Sequence, residues 1–379
     1  MSETVKTMLI IEDDERWKDT LEQLCRKSHQ KLYGNAGNVI HVSGVDEALQ
    51  AIRTQPIHFA SVDLNLKGDP KGTKDPSGLE LLKEIYTRKL NTVSIVVSGE
   101  YDPDFSALSK KYGVLTFQQK SKPTFAPTYI TAVEAALRFV EAKTLLDEEK
   151  YKEALAKWQE LQTVVKPIEG EGAEDWTYPV DIEEVYQNTF RHPVTHLPSS
   201  QLIEDEFSQL VTKESWLLLY LKIKHLAAFA ASQGHMPEEA LLRETKKVIE
   251  QELAAHHLQP AFTGQTSDNI FVVALDALPT PAGQMQTIPA FITNVKKRFD
   301  QDSLPHYDYA TRERGHIDYK NREGKAQSSP FAALNIGLIK GHFDKFAVGQ
   351  LSDNDELTFS AAEYGDIRDI DRTIRQALD

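Results

Sequence analysis

Apolar positions fall into two rhythms along the first third of the chain. Short unbroken runs include Met8 to Ile11, Asn38 to Gly44, Ile57 to Leu66, Asn91 to Gly99 and Gly113 to Lys120. Between them, apolar residues recur every three or four positions. Trp17, Leu21, Leu24 and Cys25 form one such face, Ala48, Leu49 and Ile52 another, and Leu79, Leu82 and Tyr86 a third; Phe105 with Leu108 marks a short helix. Continuous apolar runs are the form of strands buried on both faces, and the three-to-four spacing is that of a helix with one buried side. Strands alternating with helices through short loops predict a five-stranded, doubly wound parallel sheet.

The polar residues that interrupt this pattern sit where the strands end. Glu12, Asp13 and Asp14 follow the first run, Asp63 closes the third, Ser98 the fourth and Lys120 the fifth. In a parallel sheet these ends share one edge, which is where such folds bind ligands. Acids gathered there repel one another unless a divalent cation sits among them, so the pattern implies a Mg²⁺ site beside a carboxylate able to accept a phosphoryl group.

These residues resemble the receiver domain of two-component response regulators, over residues 1–127. The resemblance implies that Glu12 and Asp13 hold Mg²⁺, that Asp63 is the phosphoacceptor and that the backbone carbonyl of Asn65 is a further metal ligand. It makes Ser98 the switching hydroxyl, Phe117 the switch aromatic and Lys120 the lysine that pairs with the acyl phosphate. Lys122, which precedes Pro123, is a rival for that lysine; Lys120 is preferred because it puts Phe117 three residues upstream. The long connection from Asp63 to Gly78 departs from the family and reshapes access to the site without removing a ligand.

Residues 128–190 read as a helical connector with an acidic loop. Ile130, Val133, Leu137 and Val140 step by three and four, continue through polar Thr144 and Asp147, and resume at Tyr151, Ala154, Trp158, Leu161 and Val165. A seam of that length predicts a coiled coil between two copies of the chain, hence a homodimer. The alternative is a helical hairpin broken near Leu146 and packed within one chain.

Residues 191–379 predict an α+β module. A strand starts at Trp216; a helix carries Leu241, Leu242, Val248, Ile249 and Leu253; a hairpin turns between Ala261 and Leu275; Ile288, Phe291, Ile292, Val295 and Phe299 mark another helix; and Pro330 to Lys340 is a late strand. Ser303 to Ser329 reads as an exposed polar insertion. This order resembles the palm-like GGDEF domain of diguanylate cyclases. His192 to Pro198 (HPVTHLP) matches the family's opening motif DPLTGLP, Gly234-His235 its glycine-histidine pair, and Asn335-Ile336-Gly337 its late serine-isoleucine-glycine strand.

The chemistry of that family does not carry over. Its strand motif aspartate-isoleucine-aspartate is Lys222-Ile223-Lys224 here, so a cation stands where a metal ligand is expected. Ala230 and Ala231 replace the guanine-reading asparagine and the aspartate beside it. Ser267, Asp268, Asn269, Ile270 and Phe271 stand for the signature glycine, glycine, aspartate, glutamate and phenylalanine. Ile270 binds no metal, and bulk at Ser267 and Asp268 blocks the close phosphate approach that glycines permit. Cyclase activity is expected to be lost. Lys222 and Lys224 share one face of the strand, and are read either as binding a triphosphate or a partner's acids, or as closing a disused cleft.

Composition narrows the setting. A net charge of -14 argues against nucleic acid as a non-specific partner, and no helix-turn-helix pattern follows the first domain. The single cysteine excludes an intramolecular disulfide framework. No apolar run approaches bilayer length and the N-terminal segment turns acidic early, so a cytoplasmic protein without membrane contact is expected. The expected partners are a histidine kinase or phosphotransfer protein upstream and a protein downstream; the alternative is a nucleotide sensor or a non-standard nucleotide-processing enzyme using a rebuilt GGDEF-like site.

Overall fold

The computed structural model describes residues 5–66, 77–88, 92–99, 111–165, 176, 178–266, 269–275, 284–321, 323–342, 345–351 and 357–363. The chain divides into two units, Met1–Tyr186 and Gln187–Asp379.

In the first unit the elements run β1 (Thr7–Ile11), α1 (Glu15–Tyr33), β2 (Asn38–Val42), α2 (Val45–Thr54), β3 (Phe59–Val62), α3 (Ser77–Thr87), β4 (Val93–Ser98), β5 (Val114–Gln119), α4 (Phe125–Asp147) and α5 (Tyr151–Val165). The five strands form one sheet in the order β2-β1-β3-β4-β5, and every neighbouring pair is parallel. All residues of β1, β3 and β4 are buried, as their unbroken apolar runs require. One face of the sheet packs Met8, Ile10, Phe59, Ile95 and Leu115 beneath α1 and α4. The other packs Leu9, Ile11, Val62, Val96 and Phe117 beneath α2 and α3. The helix expected at Phe105 and Leu108 lies outside the described residues.

Helix α1 begins at Asp14, whose carboxylate accepts from the Arg16 amide, and ends at Gly34 in the left-handed region at φ 73°. Helix α4 is buried over nearly its whole circumference: Ala132, Ala135, Ala136, Phe139 and Ala142 are as inaccessible as Val133, Leu137 and Val140. A helix apolar all round needs partners on two sides, and α4 has them. The sheet and α1 cover one side, and α5 folds back to cover the other with Ala154, Trp158, Leu161 and Val165.

The seam read as a two-chain coiled coil is therefore consumed within one chain. The helix stops at Asp147, Glu149 takes the left-handed conformation at φ 59°, and Glu148 and Lys150 return amides to the carbonyls of Thr144 and Leu145. A seam buried in this way cannot pair with a second copy through the same residues, which corrects the coiled-coil expectation in favour of the hairpin.

Helix α6 (Ile182–Thr189) spans the division between the units. The second unit then runs α7 (Ser200–Leu210), β6 (Trp216–Lys224), α8 (Leu226–Gln233), α9 (His235–Ala255), β7 (Phe262–Gln265), β8 (Ile270–Leu275), α10 (Gln284–Ser303), α11 (Tyr309–Arg314), β9 (Ile317–Lys320), β10 (Ala326–Ser329), β11 (Ala333–His342), β12 (Lys345–Leu351) and β13 (Leu357–Glu363). Six strands make an antiparallel sheet in the order β13-β12-β11-β6-β8-β7, with β6 flanked by β11 and β8. Leu217, Leu219, Leu221 and Ile223 pack against the core residues of α9 and α10. Trp216, Leu218 and Tyr220, alternating with them, pack with Phe207 and Leu210 of α7.

The expected polar insertion at 303–329 is in fact ordered into a 3-10 turn, α11 and the β9–β10 hairpin. Buried side chains anchor it, among them Tyr307, Thr311 and Ile317. The Tyr307 hydroxyl accepts from the Ala332 amide at 2.7 Å. The segment reads as an exposed polar insertion because these anchors are diluted among charged residues that face solvent.

Candidate functional site

The site is assembled where β1, β3 and β5 end. Glu12 follows β1, and its amide donates to Val42 of β2 at 3.1 Å. Asp63 follows β3, with its amide donating to Ile11 at 3.0 Å. Glu12 is 1% exposed and Asp63 6%, so both carboxylates face a largely dry pocket. Asp13 is half-buried beside them. One carboxylate oxygen from each of Glu12, Asp13 and Asp63 lies within 4.8 Å of the others.

Lys120 comes from the end of β5, which is tied to β4 by its amide donating to the Ser98 carbonyl at 2.9 Å. Its ammonium donates to Glu12 Oε2 at 2.5 Å and to Asp63 Oδ2 at 2.6 Å, with a side chain only 9% exposed. Burial works to lower the lysine's pKa, but the hydrogen bonds and negative charge of Asp63 and Glu12 outweigh it and the net direction is upward. Burial pushes the Glu12 carboxyl up, against the opposing pull of Lys120, and the charge of Asp63 adds to the rise. Lys120, one of the two candidate lysines, thus reaches two of the acids.

Ser98 is the last residue of β4 and is buried. Phe117 packs in the cluster on the α2–α3 face, 3% exposed. The Asn65 amide donates to Asp63 Oδ1 at 3.1 Å, which turns the backbone back across the carboxylate.

Two residues that sequence reasoning passed over shape this site. Gly78 lies against it so closely that a Cβ there would stand 2.2 Å from the Asp63 carbonyl oxygen. Only the glycine after Pro76-Ser77 hinted at a close backbone approach. By spacing Trp17 belongs to a helical core face, yet its ring lies under the Lys120 ammonium, 5.4 Å from the centroid.

The donor set fits a small hard cation. Three carboxylates converge, and the ammonium of Lys120 already occupies a position between two of them, standing in for a positive charge. Oxygens on an octahedral Mg²⁺ are about 3.0 Å apart when neighbouring and about 4.2 Å apart when opposite, so carboxylate oxygens within 4.8 Å of one another would have to draw together around one ion. Cys25, by contrast, is buried with its thiol pushed up to about 12, burial being the main cause, and it offers no nucleophile.

In the second unit, Lys222 pairs in register with Ile270 on one side and Asn335 on the other, and Lys224 with Ala333. Both lysines are half-buried; Ala230 is half-buried and Ala231 exposed on α8. Ile270 is buried at 3%. Asn269 turns its amide group onto the Ile223 carbonyl and accepts from the Ile223 amide at 2.9 Å, capping β6. Ser267 and Asp268 lie outside the described residues. The HPVTHLP segment forms a closed loop in which His192 Nδ1 accepts from the amides of Val194 and Thr195 at 3.3 and 3.4 Å. His196 takes the left-handed conformation at φ 57°. Burial, with His196 nearby, lowers the His192 pKa and keeps that nitrogen an acceptor.

No family model matches the chain, and no curated protein matches it. Among solved structures, it is similar to a signal receiver domain from Vibrio parahaemolyticus, at 20% identity and a TM-score of 0.31, over 38% of this chain and 97% of that one. A CheY-like response regulator receiver domain protein from Methanospirillum hungatei JF-1 aligns at 21% identity and a TM-score of 0.30, over 37% and 99%. The signal receiver domain of an HD domain-containing protein from Pseudomonas fluorescens Pf-5 aligns at 18% and 0.30, over 36% and 98%. Among the described residues, no helix is long and apolar enough to cross a membrane.

Proposed function

We propose that this chain is a response regulator whose first unit accepts a phosphoryl group on Asp63, and whose second unit is a GGDEF-like scaffold that signals by binding rather than by catalysis. The observation that carries the first half is the Lys120 ammonium bridging Asp63 and Glu12 in a buried pocket at the strand ends. A carboxylate is a weak nucleophile toward phosphorus, because incoming phosphoryl oxygens repel it. When bound, Mg²⁺ held by Glu12, Asp13, Asp63 and the Asn65 carbonyl would screen that repulsion. Asp63 supplies the electron pair that forms the new O–P bond; the bond from phosphorus to the donor's histidine nitrogen or acetate oxygen breaks and leaves with its own pair. Lys120 is placed to balance the charge carried onto the acyl phosphate. Ser98 offers its hydroxyl to the same edge, and Phe117 packs on the sheet face behind it.

For the second unit, support comes from the connectivity of the sheet and from the loop at His192. There an imidazole nitrogen accepts from two backbone amides at the position of the motif's aspartate, and His196, at the position of its glycine, takes the left-handed conformation. Lys222 in place of a metal-binding acid, and Ile270 in place of another, leave no carboxylate at those positions to hold the paired metals of nucleotidyl transfer. Output is then binding, with a protein as the favoured partner. The half-buried Lys222 beside Asn335 supports a second reading, a nucleotide sensor. The α4–α5 seam, packed within one chain, lends no support to a homodimer.

Labelling with acetyl phosphate or a cognate kinase tests the first half: Asp63→Asn should abolish uptake, and label retained on another aspartate would refute the assignment. Incubation with the four nucleoside triphosphates and Mg²⁺ or Mn²⁺ tests the second, with no turnover expected. Thermal shift against GTP, ATP and cyclic dinucleotides, repeated after changing both lysines to alanine, separates sensor from protein binder.

A further inference from the structure

Lys120 is gripped from two sides. Glu12 and Asp63 hold its ammonium, and the Trp17 indole lies within cation–π range of the same atom. The indole is itself held. Its ring meets Phe125 edge-on at 5.2 Å and 80°, and Phe125 stacks on Tyr129 at 5.4 Å. Tyr129 is fully buried and lies 3.3 Å from the Cys25 sulfur through its hydroxyl. A half-buried tryptophan beside an acidic pocket, braced by Phe125 of α4, which is itself stacked on Tyr129, is more than core filling: its π face is turned to the Lys120 ammonium.

The consequence concerns the lysine once a divalent cation competes for Glu12 and Asp63. A divalent cation held by the same two carboxylates would repel the ammonium and loosen its hold on Glu12 and Asp63. A free lysine carries several rotatable bonds and would disperse into solvent. The electron-rich indole offers it a nearby resting surface, from which a phosphoryl oxygen on Asp63 can be met without a search.

We propose that Trp17 is a positioning residue for phosphoryl uptake, acting through Lys120: its indole face keeps the ammonium beside the pocket when the metal takes the carboxylates. This rests on the phosphoacceptor reading of Asp63.

The full chain tests it in two arms. In the first, Mg²⁺ alone is titrated while tryptophan fluorescence is followed; the chain has four tryptophans. A Mg²⁺-dependent change is expected in the wild type and is expected to vanish in Trp17→Phe and in Lys120→Ala. In the second, the initial rate of labelling by acetyl phosphate is measured at saturating Mg²⁺. Trp17→Leu should be about three- to tenfold slower, the range a single cation–π contact supplies, with Mg²⁺ affinity by thermal shift unchanged. Trp17→Phe, which keeps a π face, should recover most of the rate. A purely structural role would lower thermal stability and Mg²⁺ affinity together, and that outcome overturns the proposal. So does a folded Trp17→Leu protein that labels at the wild-type rate, or a Mg²⁺-dependent fluorescence change that survives in Trp17→Phe. If the wild type takes no label on Asp63, the phosphoacceptor reading falls and this proposal with it; if only the Trp17 variants match the wild type, this proposal falls alone.

Discussion

Replacing Lys120 by methionine removes the positive charge from a pocket that keeps three carboxylates, two of them the lysine's own partners. Side-chain exposures of 9% for Lys120, 1% for Glu12 and 8% for Asp63 leave little water to compensate. Deleting one partner of such a buried pair costs about 3–5 kcal/mol, because the remaining charge is left unpaired. At about 2–4 °C per kcal/mol for a unit of this size, the melting temperature should fall by roughly 6–20 °C in the absence of divalent cations. Glu12 sets the pH dependence. Burial holds its carboxyl above the ordinary 4.5, so its contribution is fully present below that value and is lost as pH rises through the folded pKa. Lys120 opposes the rise, so in Lys120→Met the shift widens and the deficit relative to wild type shrinks on acidification. Mg²⁺ should restore more stability to the variant than to the wild type, since it replaces the missing charge. Differential scanning fluorimetry at pH 5 and pH 7.5, with EDTA or Mg²⁺, reads all three effects. A variant as stable as wild type at pH 7.5 in EDTA, or a deficit indifferent to Mg²⁺, would refute the charge argument.

Other substitutions test the remaining geometry. Glu149→Gly should stabilise the first unit by about 0.5–1 kcal/mol in urea unfolding, because Glu149 sits at φ 59°; in an unbroken helix the same change would cost about 1 kcal/mol. Gly78→Ala should cost about 1–3 kcal/mol and weaken Mg²⁺ binding, since its methyl would collide with the Asp63 carbonyl; wild-type Mg²⁺ affinity would contradict this. His192→Leu should cost about 1 kcal/mol by orphaning the Val194 and Thr195 amides. In the wild type the His192 contribution is present above pH 6.5 and fades as pH falls through its lowered pKa, whereas His192→Asp should hold the loop to lower pH, as read by thermal melts across pH 4–8.

The sequence by itself determined the first unit's sheet and the residues at its edge. Unbroken apolar runs have one stable place, inside a parallel sheet, and an acid or lysine at the end of each run has nowhere to emerge but the common edge. Glu12, Asp63, Ser98 and Lys120 were legible for that reason, as was the antiparallel pair around Ile270 in the second unit. Periodicity could not say what covers a helix. The three-four spacing along α4 and α5 is the same whether the partner is a second copy or the chain folded back, and the choice fell to the left-handed turn at Glu149 and to alanines that admit neighbours on two sides. Nor could it show Trp17 turned toward Lys120, or Gly78 pressed against Asp63, because both contacts depend on backbone paths that are set only once the sheet has formed.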